Sequence, residues 1–134
     1  MRLEVTRRAD LAVRTVAMLA HGRRVKAPAL AAALGTTAGF VPQVVGPLVK
    51  AGWIVSEPGP TGGYRLAIPV ESLSVLDVVE AVDGPTDTGR CVVADRPCGR
   101  GKECALHDAW ARARRELIAS LGQMAVPDTE ALAK

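Results

Sequence analysis

APALAAALGTTAGFVPQVVGPLVKAGW, residues 27–53, decides the fold of this chain. Pro28 suits the first turn of a short Ala/Leu helix, because its missing N–H would have no intrahelical partner there. Gly35 stops that helix, and the hydroxyl of Thr36 or Thr37 can cap a second one. The second helix turns Val41, Val44, Val45 and Leu48 inward. Helix, short glycine turn and helix make a helix-turn-helix, and small Ala31 lets the two helices approach. Two prolines mark the second helix. Pro42 is harmless near its start, whereas Pro47 is expected to bend it or end it early, which confines any base-reading surface to residues 36–46.

Outward from this core, residues 53–68 form a hairpin, with WIVSE and YRLAI as strands and PGPTGG between them, the wing of a winged helix. Before it, Ala9, Val13, Val16, Ala17 and Ala20 recur at helical spacing over about Arg7 to His21, ahead of the helix stop Gly22. After it, Ser74 and Asp77 form a capping box for a helix with Val75, Val78, Val79 and Val82 on one side, closed by Gly84. Residues 85–104 have no period and are expected to be a loop. From Ala105 a last helix carries Leu106, Trp110, Ala113, Leu117, Leu121 and Met124 at alternating three- and four-residue steps, a seam that can pair with a partner helix. The tail after Pro127 is expected to fray. The reading is a mainly α, winged helix-turn-helix protein with a two-stranded wing and a long C-terminal dimerisation helix. Its expected divisions are 1–84 for DNA binding, 85–104 as a cysteine-rich loop and 105–134 for dimerisation.

At 134 residues there is room for one domain with an appended element. No stretch approaches the roughly 18 uninterrupted apolar residues of a membrane span, and the N-terminus lacks the apolar core of a signal peptide, so a cytoplasmic protein is expected. The net charge of +3 is uneven: residues 1–26 carry seven basic and two acidic groups, residues 27–90 three basic and six acidic. Arg7 and Arg8 belong to the basic segment, which points to phosphate contact. In a winged helix, the N-terminal end of the second helix enters the major groove. Thr36, Thr37, Gly39, Phe40 and Gln43 occupy that end. Gln pairs bidentately with adenine, and Phe or a Thr methyl touches the thymine methyl. In the wing tip, Thr61 and Gly62 offer backbone N–H groups to phosphate, and Arg65 follows within reach of a phosphate or minor groove.

All three cysteines, Cys91, Cys98 and Cys104, lie in CVVADRPCGRGKECALH, a C-x6-C-x5-C-x2-H pattern ending at His107. An odd number of clustered thiols argues against a disulfide framework. Soft thiolates select zinc, Cu(I) or iron–sulfur clusters. With His107 the set suits structural zinc, while the long glycine-bearing intervals suit a larger object such as a cluster, which accepts an occasional ligand other than Cys. Asp10 taken alone is simply an acid favourably placed at a helix N-terminus. A thiol oxidoreductase is disfavoured because there is no C-x-x-C motif and no βαβ pattern.

The chain resembles the IscR and NsrR regulators, winged-helix iron–sulfur proteins of the Rrf2 family. The resemblance runs over about residues 1–124 and is carried by the opening MRL with DLAVR, by LAAALGTT, by KAGWIVSEPGPTGGYRLA and by the three cysteines with CALHDAW. It implies a homodimer with crossing C-terminal helices, a palindromic double-stranded DNA operator, and a [4Fe-4S] or [2Fe-2S] cluster on Cys91, Cys98 and Cys104. The fourth ligand it implies is either His107 or Asp10 of the other subunit. The function expected on this basis is that of a non-enzymatic, DNA-binding transcriptional repressor whose cluster senses nitric oxide, an oxidant or cluster supply. The alternatives are a structural zinc or a metal-free thiol switch.

Overall fold

The structure, a computed structural model, describes residues 1–94, 96–99 and 101–133. Helix α1, Arg7–Leu19, lies at the centre. Thr6 caps it by accepting a hydrogen bond from the Ala9 N–H at 3.1 Å. A single apolar stripe was expected, but Leu11, Ala12, Thr15 and Leu19 are buried as well as Ala9, Val13, Val16 and Ala17. The reason is that α1 is packed on several sides by other elements. Buried Thr15 donates to the Leu11 carbonyl at 2.8 Å, so its hydroxyl costs little.

Helix α2, Ala27–Leu34, carries Pro28 in its first turn and ends at Gly35 with φ +67°, the left-handed conformation glycine adopts without strain. Helix α3, Val41–Lys50, buries Val41, Val44, Val45 and Leu48. Pro47 does not end it: the helix continues three residues further. The N–H missing at Pro47 would have paired with the carbonyl of Gln43, and Gln43 is exposed, so water can satisfy that oxygen.

Strands β1, Ile54–Glu57, and β2, Gly63–Leu66, pair antiparallel with Ile54 opposite Leu66 and Glu57 opposite Gly63. A third rail was not foreseen: Val25 bridges Tyr64 through two backbone hydrogen bonds of 2.8 and 2.9 Å. This fixes the wing to the segment between α1 and α2. Glycine is required at the base of the wing. A Cβ at Gly63 (φ +135°) would stand 2.9 Å from the Val25 carbonyl oxygen, and one at Gly62 only 2.0 Å from the Glu57 carbonyl oxygen.

A 3-10 turn, Val70–Ser72, leads to α4, Val75–Asp83. The capping box is present, with Asp77 N–H donating to the Ser74 hydroxyl at 3.1 Å and Ser74 N–H donating to the Asp77 carboxylate at 2.8 Å. Helix α4 packs on α1 and α3, and its C-terminal end is tied to α1. Thr6 Oγ1 donates to the Asp83 carboxylate at 2.9 Å, and Arg8 Nη2 donates to the Val82 carbonyl at 2.8 Å.

Helix α5, His107–Gln123, packs against α4 but has no buried residue. Leu121 of the expected seam turns onto the core, whereas Leu106, Trp110, Leu117 and Met124 stay between 37% and 45% exposed. The tail does not fray. After an N–H···O bond of 2.9 Å from Val75 to Met124, a short helix α6, Thr129–Leu132, capped by Asp128, packs on α1. Arg14 donates to the Leu132 carbonyl and so clasps the tail. Among the described residues no helix is long and apolar enough to cross a membrane.

Candidate DNA interface and cysteine centre

The segment from Thr36 to Gln43 forms the exposed approach to α3. Thr37, Gly39 and Gln43 are exposed, and Thr36 and Phe40 half-buried. Thr37, rather than Thr36, supplies the hydroxyl, accepting from the Phe40 N–H at 3.2 Å. It closes the turn before α3, whose own first residue, Val41, has no side-chain cap. Phe40 packs partly against the core, so only part of its ring faces outward. Gln43 lies in the first turn of α3 with an exposed side chain, the position at which a base edge is read.

In the wing, Thr61 is exposed and Gly62 is buried. The Gly62 N–H donates to the Gly59 carbonyl at 3.1 Å. In the free chain that N–H is thus used within the turn. Arg65 lies 3.6 Å from the Glu57 carboxylate. Arg24, which the sequence did not single out, lies 2.8 Å from the other Glu57 oxygen and also donates to the Thr61 carbonyl at 3.4 Å. Of the two arginines expected at phosphate, Arg7 is exposed in the first turn of α1. Arg8 instead caps the end of α4, because the last carbonyls of a helix lack intrahelical donors.

The loop between α4 and α5 brings the three sulfurs together. The Sγ atoms of Cys91, Cys98 and Cys104 all lie within 4.8 Å of one another, and each residue is half-buried. Short backbone links shape the loop: Cys91 N–H to the Arg96 carbonyl at 2.8 Å, Lys102 N–H to the Gly99 carbonyl at 3.0 Å, and His107 N–H to the Cys104 carbonyl at 3.0 Å. The thiols are free. Backbone N–H groups of Val93 and then Ala94, helped by the Cys98 thiol, lower the Cys91 thiol to about 7. Cys98 is raised: the backbone of Cys104 pulls it down, but the hydrogen bond that its own S–H donates to Cys91, then burial and the charge of Cys91, outweigh that pull.

A hollow of about 450 Å³ is lined by all three cysteines together with Arg96 and Lys102. Three convergent thiols beside two cations are a donor set for a soft, anionic thiolate complex. A single tetrahedral ion with sulfur bonds of about 2.3 Å sets its sulfurs about 3.8 Å apart. Sulfurs gathered to within 4.8 Å of one another are close enough for one soft centre to be shared by all three. His107, the first residue of α5, lines a second cavity of about 220 Å³ together with Cys91, Cys98, Trp110 and Arg114. Asp10 is not brought to the cysteines within the chain: its carboxylate accepts from Arg14 Nε at 3.0 Å on α1. No fourth His, Cys, Asp or Glu joins the sulfur group among the described residues. Asp87 at the start of the loop reaches Arg114 of α5 at 3.7 Å.

The chain is similar to known proteins in family, sequence and fold. A family model described as "Rrf2: Iron-dependent Transcriptional regulator" matches residues 5–129. A Mycobacterium tuberculosis protein bearing the name of an HTH-type transcriptional regulator is 32% identical over 130 residues, 94% of this chain and 80% of that one. IscR of Vibrio campbellii is 34% identical over 76 residues, 57% of this chain and 45% of its own. Among solved structures, CymR of B. subtilis, titled a global cysteine regulator, superposes with a TM-score of 0.76 at 20% identity, covering 99% of this chain and 100% of that chain. IscR of T. potens superposes with a TM-score of 0.67 at 19% identity, covering 100% and 89%. At these identities the superpositions speak for the winged-helix fold alone.

Proposed function

Because the chain belongs to the Rrf2 family of transcriptional regulators, we propose that it is a homodimeric repressor whose grip on a palindromic operator is set by an iron–sulfur cluster on Cys91, Cys98 and Cys104. That it is a non-enzymatic, DNA-binding transcriptional regulator follows from the family itself. The sensing function rests on one observation, the convergence of three free thiols to within 4.8 Å in a loop flanked by Arg96 and Lys102. When bound, a cluster supplies a redox- and nitric-oxide-sensitive inorganic centre.

The chain's own residues do the rest. Thiolates bind, and the two cations offset their charge. His107 is the better-placed fourth donor in its own chain, since it shares a cavity with Cys91 and Cys98, whereas Asp10 must first leave Arg14. The loop joins the end of α4 to the start of α5. Whatever tightens it pulls on Asp83, which Thr6 holds to α1, and on Arg114, which Asp87 holds to the loop. Through α4 the pull reaches α1 and α3, and through α5 it reaches the exposed seam where a second copy docks. The separation of two recognition helices then depends on the state of the loop, a two-state switch in the sense of other ligand-gated regulators. In the DNA-bound form, Gln43 and Thr37 face bases, and Arg7, Thr61 and Arg65 face the backbone.

Anaerobic purification followed by visible absorbance and iron, sulfide and zinc analysis tests the centre. Iron with acid-labile sulfide, lost in Cys98→Ala without loss of fold, is the expected result. Colourless protein with stoichiometric zinc, or metal-free protein whose DNA binding responds reversibly to peroxide, overturns it in favour of a structural metal or a thiol switch.

A further inference from the structure

The wing carries a charge arrangement that the reading above leaves unused. Two guanidinium groups share one carboxylate: Arg24 Nη2 lies 2.8 Å from one Glu57 oxygen, and Arg65 Nη2 lies 3.6 Å from the other. The two pairs are unequal. Arg24 also donates to the Thr61 carbonyl, and the neighbouring Val25 is bridged to Tyr64, so Arg24 is built into the frame that holds the wing. Among the described residues Arg65 makes only the longer contact to Glu57, and its side chain is 38% exposed. Ion pairs this exposed add little to stability, so the arrangement is better understood by what it does to an approaching polyanion. A phosphate can draw Arg65 away without disturbing the Arg24–Glu57 pair. It must, however, compete with a carboxylate that stays in place and repels it.

We infer that Glu57 is a built-in competitor for the DNA backbone: it holds Arg24 and Arg65 side by side and restrains the wing's sequence-independent grip on phosphate. The inference deepens the proposed role of the wing and rests on Arg65 facing DNA. Sequence-independent affinity comes almost wholly from cation–phosphate contacts. A regulator must leave random duplex readily, and a carboxylate fixed between two arginines serves that need without removing either cation. Arg24 is thereby a positioning residue and Arg65 the contacting one.

The test compares full-length wild type, Glu57→Gln, Arg65→Ala and the double variant on a short fluorescent duplex of random sequence, across a salt series. Thermal melting is run in parallel to confirm folding. Glutamine keeps the shape and an acceptor for Arg24 but removes the charge. Glu57→Gln is expected to bind random duplex about 3- to 10-fold tighter near 0.1 M salt, because the carboxylate that repels the phosphate is gone while the same cation contacts it. Arg65→Ala should weaken binding and make the slope shallower by about 0.9. In the double variant the gain from removing the carboxylate should shrink, because one of its two captive cations is gone. If Arg65→Ala weakens binding while Glu57→Gln leaves it unchanged or weaker, Glu57 is only a brace and the inference falls. If Arg65→Ala changes nothing, the wing's role in DNA binding falls, and the inference with it.

Discussion

The three thiols sit in one loop yet differ chemically. Cys91 receives backbone N–H groups from Val93 and Ala94, which favour its thiolate, while Cys98, despite the pull of the Cys104 backbone, is pushed the other way by the hydrogen bond it donates to Cys91, by burial and by the charge of Cys91. A lowered pKa means that the reactive form is already present at lower pH. Metal-free protein should therefore be alkylated first at Cys91, with half-maximal rate near pH 7, and at Cys98 only at higher pH. Mass mapping of iodoacetamide-labelled peptides across a pH series checks the order; equal rates at all three sites would contradict it. The cluster of cysteines was plain in the sequence, because all three fall within one short segment. The inequality between them was not, because it arises from N–H groups that only the folded loop aims at one sulfur. Arg8 shows another limit: the basic first segment pointed to phosphate, but the sequence did not show that Arg8 also donates to the Val82 carbonyl at the end of α4, where a helix lacks its own donors.

At the scale of elements, patterns with their own chemistry were legible. Gly35, the Ser74–Asp77 capping box and the strands around the glycine-rich wing all appear where their residues placed them. Elements that depend on a distant partner were not. The rail at Val25 is a single bridge with no strand-like run, and α6 has only four residues and no period to detect. Pro47 was expected to bend or stop α3, and it does not stop it, because packing of Val44, Val45 and Leu48 outweighs one missing hydrogen bond on an exposed edge. The cost is still present in the folded state. Pro47→Ala should raise stability by about 1–3 kcal/mol in urea denaturation. A lower midpoint would mean that the ring itself packs well enough to be needed, or that its stiffening of the unfolded chain matters more.

Over the whole molecule, the hydrophobic core is shared by α1, α2, α3, α4 and the wing, and the C-terminal part returns to it through Leu121, Val126 and Leu132. The row Leu106, Trp110, Ala113, Leu117 and Met124, along α5 and its two ends, stays outside it. An apolar row of this length on a helix packed on one side only is the expected face for a second copy. For the proposed homodimer, Leu117→Asp should convert dimer to monomer in sedimentation equilibrium while leaving helical content intact. It should also cost at least about tenfold in DNA affinity, since the proposed palindromic site then loses its second linked half. A variant that stays dimeric would move the interface elsewhere.

The stretch that gathers the sulfurs also exposes Arg96 and Lys102 on irregular backbone between α4 and α5. Trypsin cuts after such residues only where the chain can be drawn out into its cleft. The proposed centre, once filled, would pin that segment from three points, so the digestion rate of an intact sample would gauge how many molecules hold an inorganic group there.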